Sequence, residues 1–163
     1  MPSLKIMMLA AVAALSLTVA PASAKSGPQT GTYRATGDIS FRFSVKKDAC
    51  PPGTPANKIY YCFFGIDDPQ HLMDCPDQAG YQPDYSDYIS FPYNYRIPRN
   101  GRIVNVGKGY FSNGVVATTT EFHVKIKRNG KASGWVKKDA ITTWGPPATC
   151  TTGKLTFTAT RGK

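Results

Sequence analysis

The sequence lacks most of the side chains and motifs from which enzyme active sites are built. It contains a single glutamate, Glu121, and only two histidines, His71 and His123. It has no Gly-x-Ser-x-Gly elbow, Walker loop, His-Glu-x-x-His pair or Rossmann fingerprint, which are local signatures of common hydrolase, metalloprotease and nucleotide-binding sites. The sequence therefore favours a non-catalytic protein, and we predict no catalytic residue.

Helical periodicity and membrane-length apolar runs are also missing. After residue 24 no segment sustains apolar residues at i, i+3 and i+4, so we expect very little helix. The one long apolar run, residues 6–20, follows Lys5 and precedes Ala22-Ser23-Ala24, the order of a secretory signal, and at about 15 residues it is shorter than the ~20 that span a bilayer. We expect a signal peptide over residues 1–24, a flexible N-terminus over 25–30, and one secreted domain over 31–163 with no integral membrane segment.

Cysteine is scarce, and all four cysteines lie after the signal, at Cys50, Cys62, Cys75 and Cys150. An even number in an exported chain predicts two disulfides and leaves no free thiol nucleophile. The cysteines also lack the paired short spacings of a zinc site. Three pairings are possible, and we favour Cys50–Cys62 with Cys75–Cys150 because the first pair flanks a Pro-Gly loop between two strand-like runs.

Charge is strongly unbalanced. Nineteen basic and ten acidic side chains follow the signal, a formal net charge of +9, and residues 122–163 hold nine basic residues but only one acid, Asp139. A positive exported protein is drawn to anionic surfaces. We therefore expect an anionic cell-wall polymer or glycan as partner and no nucleic acid; a basic surface that serves solubility alone is the alternative.

Alternating apolar residues predict strands along the whole domain. The clearest runs are Ile39, Phe41, Phe43 and Val45 near the start, and Leu155, Phe157 and Ala159 at the end. Another run, Ile89, Phe91, Tyr93, Tyr95 and Ile97, predicts a strand that Pro92 places at a sheet edge or bulge. Three Asn-Gly pairs, at residues 100, 113 and 129, predict an antiparallel meander. Eight or nine short strands indicate a monomeric, disulfide-stapled, all-β antiparallel β-sandwich, with an open β-barrel as the alternative.

The sharpest sequence feature is the hairpin at residues 118–138. A two-residue Asn129-Gly130 turn would pair Val124 with Trp135 and bury both the tryptophan and Lys137, whereas a three-residue turn with a glycine bulge pairs Val124 with Gly134. We prefer the second, because burying an unpaired lysine costs more than exposing one tryptophan. This register gathers a predicted ligand-binding face on the other side: His123, Lys125, Lys127, Lys131, Trp135 and Lys137. The alternative is a Trp135 that contacts a second sheet or is sheltered by the loop around Trp144.

The segment 67–87 sustains neither period and is rich in tyrosine and aspartate. Tyr81, Tyr85 and Tyr88 interleave with acids, and tyrosine rings suit sugar recognition, so they form a second candidate ligand-binding site; packing at the core or its rim is the alternative. Asp67, Asp68 and Asp74 are the residues whose oxygens would best suit calcium, yet their spacing does not match an EF-hand loop. We therefore predict no metal and no cofactor, and interpret this segment as an acidic surface loop.

A group of sequence fragments resembles a known kind of protein: Gly31-Thr32-Tyr33 with Ile39-Ser40-Phe41-x-Phe43-x-Val45, Cys75, residues 129–134, and Cys150-x-x-Gly153-x-x-x-Phe157-x-Ala159-x-Arg161. Together they are similar to uncharacterised small secreted β-sandwich proteins of high-GC Gram-positive bacteria. The resemblance implies that Cys75–Cys150 is a shared bridge and Cys50–Cys62 an additional one, and it brings no site residues.

We expect the protein to be a secreted, non-catalytic binding or cell-envelope-associated module for an anionic or carbohydrate ligand. The alternatives are a small secreted enzyme, such as a metal-dependent hydrolase, and an inhibitor or protein-interaction module.

Overall fold

The computed structural model describes residues 27–75, 86–142 and 148–162, and within them the chain forms eleven strands and no helix. The predicted signal peptide at residues 1–24 lies outside the described residues. In the described part, no helix is long and apolar enough to cross a membrane.

The strands follow the chain in this order: β1 (Gly31–Gly37), β2 (Phe41–Asp48), β3 (Tyr60–Gly65), β4 (Gln70–Leu72), β5 (Ser86–Tyr88), β6 (Tyr95–Arg96), β7 (Arg102–Tyr110), β8 (Val116–Ile126), β9 (Lys131–Thr142), β10 (Ala148–Thr151) and β11 (Leu155–Arg161). Nine of them form one antiparallel sheet in the order β6-β3-β2-β1-β11-β9-β8-β7, with β10 pairing β9 beyond the end of β11. The short strands β4 and β5 form a second sheet.

The large sheet curls into a half-barrel around an aromatic core. Phe63 on β3 and Phe122 on β8 are separated by four strands within the sheet, yet their ring centroids lie 5.3 Å apart. The sheet therefore folds over onto itself. The predicted all-β antiparallel fold is confirmed, and of its two arrangements the open barrel describes the curl of this sheet better.

The core follows from the alternation in the sequence. All four apolar residues of the first run, Ile39, Phe41, Phe43 and Val45, are buried, and so are Leu155, Phe157 and Ala159 on β11. Burying one such large side chain contributes about 1.5–3 kcal/mol. The concave side of the half-barrel is thus the apolar side, and the residues of opposite parity are left for the convex outer side.

The two edges of the sheet, β6 and β7, are joined by the loop at residues 97–101. Ile97 is buried, and the Tyr95 hydroxyl donates to the carbonyl oxygen of Val104 across the gap at 3.4 Å. This loop therefore bridges the open side of the half-barrel. It also places residues near 100 beside the end of β8, where the Ile126 N–H donates to the Gly101 carbonyl.

The three Asn-Gly turns differ in what they connect. Gly101, Gly114 and Gly130 all have positive φ, as such turns require. The second and third join the antiparallel partners β7–β8 and β8–β9, as predicted. The first joins β6 to β7, which are not partners, so the predicted meander is wrong at that turn; alternation marks strands but not their pairing.

The strand predicted across residues 88–97 is confirmed only at Tyr95–Arg96, where β6 is an edge strand as Pro92 indicates; as one continuous strand it is wrong. β5 ends at Tyr88, β6 begins at Tyr95, and Asn94 between them has a φ of 54°. Pro92 has no N–H to donate to a ladder, and its carbonyl instead accepts the Gly65 N–H. Two- and three-residue strands such as β4, β5 and β6 carry no readable periodicity, which is why eleven strands form where eight or nine are predicted.

Both predicted disulfides are formed, Cys50–Cys62 and Cys75–Cys150. Beside the second, Asp74 and Thr151 exchange two backbone hydrogen bonds of 2.8 Å, and Met73 and Ala140 pack in a small apolar cluster with Cys150. The segment that follows β4 is therefore attached to β10 by covalent, polar and apolar contacts.

Candidate functional site

The β8–β9 hairpin has the register of the three-residue turn. Val124 lies opposite Gly134 and Phe122 opposite Val136, and the Lys127 N–H donates to the Lys131 carbonyl at 2.8 Å. The preferred register is thereby confirmed. The residues of opposite parity stand together on the convex side, which we call the basic face: Arg102, Glu121, His123, Lys125, Lys127, Lys131, Ser133, Trp135, Lys137 and Asp139, joined by Lys154 from the loop before β11.

Gly134 permits the close approach of β8 and β9 beneath this face. A Cβ at that position would lie 2.0 Å from the His123 carbonyl oxygen and 2.9 Å from the Val124 Cα and from the Phe157 ring. No side chain fits there without displacing backbone. The position of His123 beside Trp135 therefore depends on a glycine in the neighbouring strand.

Trp135 stands between two partners. On the β8 side its ring stacks on His123, with centroids 4.0 Å apart and planes 14° apart. On the β11 side the Lys154 ammonium lies 4.5 Å from the ring centroid, a cation–π contact. Because β8 and β11 flank β9 on opposite sides, the two partners approach the indole from opposite sides of its strand. Trp135 is thus half-buried, neither a core residue nor an open stacking platform.

His123 is held mainly in its neutral form at neutral pH. Burial lowers the pKa of its imidazole below the usual value, Arg102 and Lys154 lower it further, and Glu121 opposes the change. The basic face therefore has a neutral aromatic pair, His123 and Trp135, at its centre, with the cations around it.

The predicted lysines of the basic face differ in the hydrogen bonds and ion pairs that their ammonium groups form. Lys137 forms an ion pair with Asp139 at 2.9 Å, and this hydrogen-bonded carboxylate raises the pKa of the lysine. The Lys125 ammonium donates to the Asn100 carbonyl. Lys127 and Lys131 are exposed and form no ion pair with a carboxylate among the described residues.

Sequence reasoning missed Arg102 and Lys154. Arg102 lies opposite Lys125, and its side of β7 is readable from the buried Ile103 that follows it. Lys154 is near Trp135 only because β11 pairs with β9 at Leu155 and Val136, a long-range pairing that no local pattern indicates.

A basic cleft adjoins this face where the loop at residues 97–101 meets the β8–β9 turn. Its volume is about 250 Å³, and half of its lining is cationic: Pro28, Arg99, Asn100, Gly101, Lys125, Ile126, Lys127 and Arg128. No acidic side chain of the described residues lines it. Within the described part of the chain, none of its four cations is ion-paired to a carboxylate.

The tyrosine-rich segment is described only in part. Tyr81 and Tyr85 lie outside the described residues, whereas Tyr88 is on β5 with 58% of its surface exposed. Next to it, Lys138 of β9 is buried and its ammonium donates to the Tyr88 carbonyl at 2.6 Å and to the Asp87 carboxylate at 2.7 Å. Asp87 therefore serves an internal ion pair.

The weak metal candidates are not brought together in the described residues. The Asp67 carboxylate accepts three hydrogen bonds from Arg42, at 2.9–3.0 Å, and this guanidinium lowers the pKa of the carboxyl group. Asp74 pairs through its backbone with Thr151, and Asp68 is exposed. Residues 27–75, 86–142 and 148–162 contain no group of three or more His, Cys, Asp or Glu side chains arranged to hold a metal ion.

Comparison of the chain with protein-family models, with curated proteins and with solved structures finds no match. The basic face and the basic cleft are therefore the features of the described residues that bear on function.

Proposed function

We propose that the protein is a secreted, non-catalytic binding module that holds an anionic polymer of the cell envelope on its basic face. The observation that carries this proposal is the charge of that face, where six cationic side chains stand against the two carboxylates of Glu121 and Asp139: Arg102, Lys125, Lys127, Lys131, Lys137 and Lys154.

The arrangement of these cations suits an extended ligand. Neighbouring strands lie about 4.8 Å apart, and outward side chains on one strand about 7 Å apart, so the cations form a shallow array and not a pocket. Such an array engages successive charges along one chain, and each additional contact raises the effective concentration of the next. The proposal therefore concerns a polymer with repeated negative charge.

The contacts of Trp135 make it a poor platform for binding sugar rings. Sugar rings bind proteins by lying flat on aromatic faces, yet the Trp135 ring is already stacked on His123 and has the Lys154 ammonium over it. The geometry supports recognition of the charge on an acidic polysaccharide better than stacking on its sugar rings. The Trp135 edge and the neutral His123 imidazole remain as hydrogen-bonding groups beside that charge.

Sedimentation of the mature protein with isolated cell wall, and with a soluble polyuronate, tests the proposal. Raising the salt concentration from about 0.01 M to about 1 M shortens the electrostatic screening length from ~30 Å to ~3 Å. The fraction of the protein that sediments with the polymer must therefore fall steeply. The double variant Lys127→Gln/Lys131→Gln loses about 1 kcal/mol of binding free energy for each charge removed, so it is expected to bind the polymer about tenfold to thirtyfold more weakly. No retention at low salt would overturn the proposal.

The matched control removes two charges elsewhere. Lys47 and Lys58 are both exposed and lie outside the basic face, Lys47 on β2 and Lys58 just before β3. Lys47→Gln/Lys58→Gln has the same net charge as the face variant and is expected to keep most of the affinity. Equal losses in the two double variants would mean that net charge alone draws the protein to the polymer, which contradicts a binding face.

A further inference from the structure

The basic cleft differs from the basic face in shape and in the residues that build it. It shares Lys125 and Lys127 with the face, but Arg99 and Arg128 belong to the cleft alone. Arg99 comes from the loop that bridges the two edges of the sheet and Arg128 from the β8–β9 turn. Two arginines and two lysines thus line one concavity although they come from the loop at residues 97–101, the end of β8 and the β8–β9 turn.

The cations of the cleft have no carboxylate partner among the described residues. Three cations elsewhere in the described residues form ion pairs: Arg42 with Asp67, Lys137 with Asp139 and Lys138 with Asp87. In the described part of the chain no such carboxylate reaches the four cations of the cleft. Like charges that line one concavity repel one another, so an anion that enters the cleft reduces that repulsion.

The floor of the cleft is fixed by backbone contacts. The Gly101 N–H donates to the Pro98 carbonyl and the Ile126 N–H to the Gly101 carbonyl, both at 2.8 Å. The Asn100 side chain accepts the Arg102 N–H at 2.9 Å, and the Asn100 carbonyl accepts the Lys125 ammonium. A Cβ on Gly101, whose φ is +72°, would lie 2.2 Å from the Ile126 carbonyl oxygen. The backbone of the cleft is thus ordered before a ligand arrives, which reduces the entropic cost of binding to it, whereas its four cationic side chains are exposed.

Size and charge together select the ligand. At about 250 Å³ the cleft is smaller than the ~300–1,000 Å³ of ordinary small-molecule sites, so it fits one charged group and not a whole sugar chain. Guanidinium forks bind phosphate and carboxylate oxygens in pairs. A carboxylate fills one fork, whereas the tetrahedral oxygens of a phosphate point in several directions and can contact arginines and lysines from both sides of the cleft, with one negative charge in a diester and close to two in a monoester.

We propose that this cleft binds a phosphate group, so that the polymer held by the protein is a phosphorylated one. This inference rests on the proposed function for the polymer, whereas the phosphate site itself rests only on the cleft. A free phosphate ion and a lipid headgroup carry the same chemistry. The basic face that continues from the cleft favours the polymer, because several of its cations can follow the same chain beyond the seated group.

Amide NMR of the mature protein, titrated with inorganic phosphate and separately with acetate, tests the phosphate site. We expect saturable shifts at Gly101 and Arg128 with phosphate and at least tenfold weaker binding of acetate. Arg99→Gln/Arg128→Gln is expected to weaken phosphate binding about tenfold or more, since each charge-assisted hydrogen bond contributes strongly. Lys131→Gln/Lys154→Gln removes two charges outside the cleft and is expected to change the affinity for phosphate less than about twofold. Equal binding of acetate, or equal effects of the two variants, would overturn the site.

Two further comparisons complete the test. The first asks whether the phosphate that binds belongs to a polymer or to a lipid, and the second separates failure of the phosphate site from failure of the proposed polymer binding. Soluble poly(glycerol phosphate) and phosphatidylcholine vesicles containing phosphatidylglycerol are compared at one phosphate concentration, and the polymer is expected to bind more tightly. Preferential vesicle binding would overturn the polymer as ligand. Polyuronate binding that survives Arg99→Gln/Arg128→Gln, without phosphate selectivity, would overturn the cleft and leave the proposed function standing. Phosphate binding without binding of any polymer would overturn the proposed function and leave the phosphate site standing. Unchanged amide spectra outside the cleft establish that each variant is folded.

Discussion

His123 and Trp135 face each other directly across β8 and β9, with their ring centroids 4.0 Å apart and their planes 14° apart. The stack exists because the register places the two residues opposite each other on the convex side, and it covers one side of each ring. It therefore links the pairing of two strands to the protonation of a histidine at the centre of the basic face.

The stack makes stability depend on pH in a defined direction. Burial, followed by the charges of Arg102 and Lys154, lowers the pKa of His123, so the unfolded chain binds a proton more readily than the folded one. The stabilising contribution is therefore complete above the ordinary histidine pKa of about 6.5, decreases as the pH falls through that value, and is lost below the folded pKa. Urea unfolding across this range, with NMR titration of the His123 ring, measures both quantities.

Two substitutions with opposite signs serve as controls for His123. Lys154→Gln removes a nearby positive charge and is expected to raise the pKa of His123, whereas Glu121→Gln removes the carboxylate that opposes the shift and is expected to lower the pKa further. A His123 pKa above the ordinary value in the unmodified protein would contradict the prediction, and would mean that the Trp135 ring stabilises the imidazolium more than burial destabilises it.

Lys138 provides the second prediction. Only 8% of this residue is exposed, and its ammonium depends on the Asp87 carboxylate at 2.7 Å and the Tyr88 carbonyl at 2.6 Å. Asp87→Asn leaves a buried charge without its partner and is expected to cost about 2–3 kcal/mol of stability, somewhat less than for a fully buried pair because Asp87 is partly accessible. Lys138→Met/Asp87→Asn is expected to recover most of the loss, because no buried charge remains. Denaturant unfolding of the three proteins checks this order, and a double variant no more stable than Asp87→Asn would contradict it.

The same lysine shows how far sequence reasoning reaches in this fold. The register of the hairpin is predictable from the Asn-Gly turn and from the cost of burying Lys137. That register, however, directs the next lysine, Lys138, toward the inner side, where it is tolerated only because Asp87 lies nearby. A partner 51 positions away in the chain, on a three-residue strand without periodicity, cannot be found from local pattern.

The cleft is unpredictable for a related reason. Arg128 belongs to a turn that the sequence identifies, and Arg99 precedes another. Their proximity depends on the curl of the sheet, which brings edge strands β6 and β7 together and places their connecting loop beside the β8–β9 turn. Alternation predicts which side of each strand is apolar, but the curl results from packing of the aromatic core across four intervening strands.

The two disulfides are expected to contribute unequally. Cys75–Cys150 closes a loop of 75 residues and Cys50–Cys62 one of 12. Chain entropy alone assigns ~4.5 kcal/mol to the longer loop and ~3 kcal/mol to the shorter one. Replacing each pair by alanine and comparing the free energies of unfolding in denaturant is expected to show the larger loss for Cys75/Cys150. The opposite order would mean that contacts around the shorter loop, and not its closure entropy, determine its contribution.

Gly134 gives the last prediction, because it sets how closely β8 and β9 approach under the His123–Trp135 stack. In Gly134→Ala the new methyl group meets the His123 carbonyl oxygen and the Val124 Cα, so the strands must move apart, at a cost of about 1–3 kcal/mol. Gly107→Ala on β7 is the matched control: nothing lies within 4 Å of its Cβ position, and its stability is expected to stay the same or rise by up to about 1 kcal/mol. Since Trp135 shields the imidazole, separating the strands in Gly134→Ala should also raise the pKa of His123 toward its ordinary value, whereas Gly107→Ala should leave it unchanged. Denaturant unfolding and NMR titration of both variants measure these effects, and a Gly134→Ala protein with unchanged stability and an unchanged His123 titration would show that β8 and β9 do not require a glycine at their closest point.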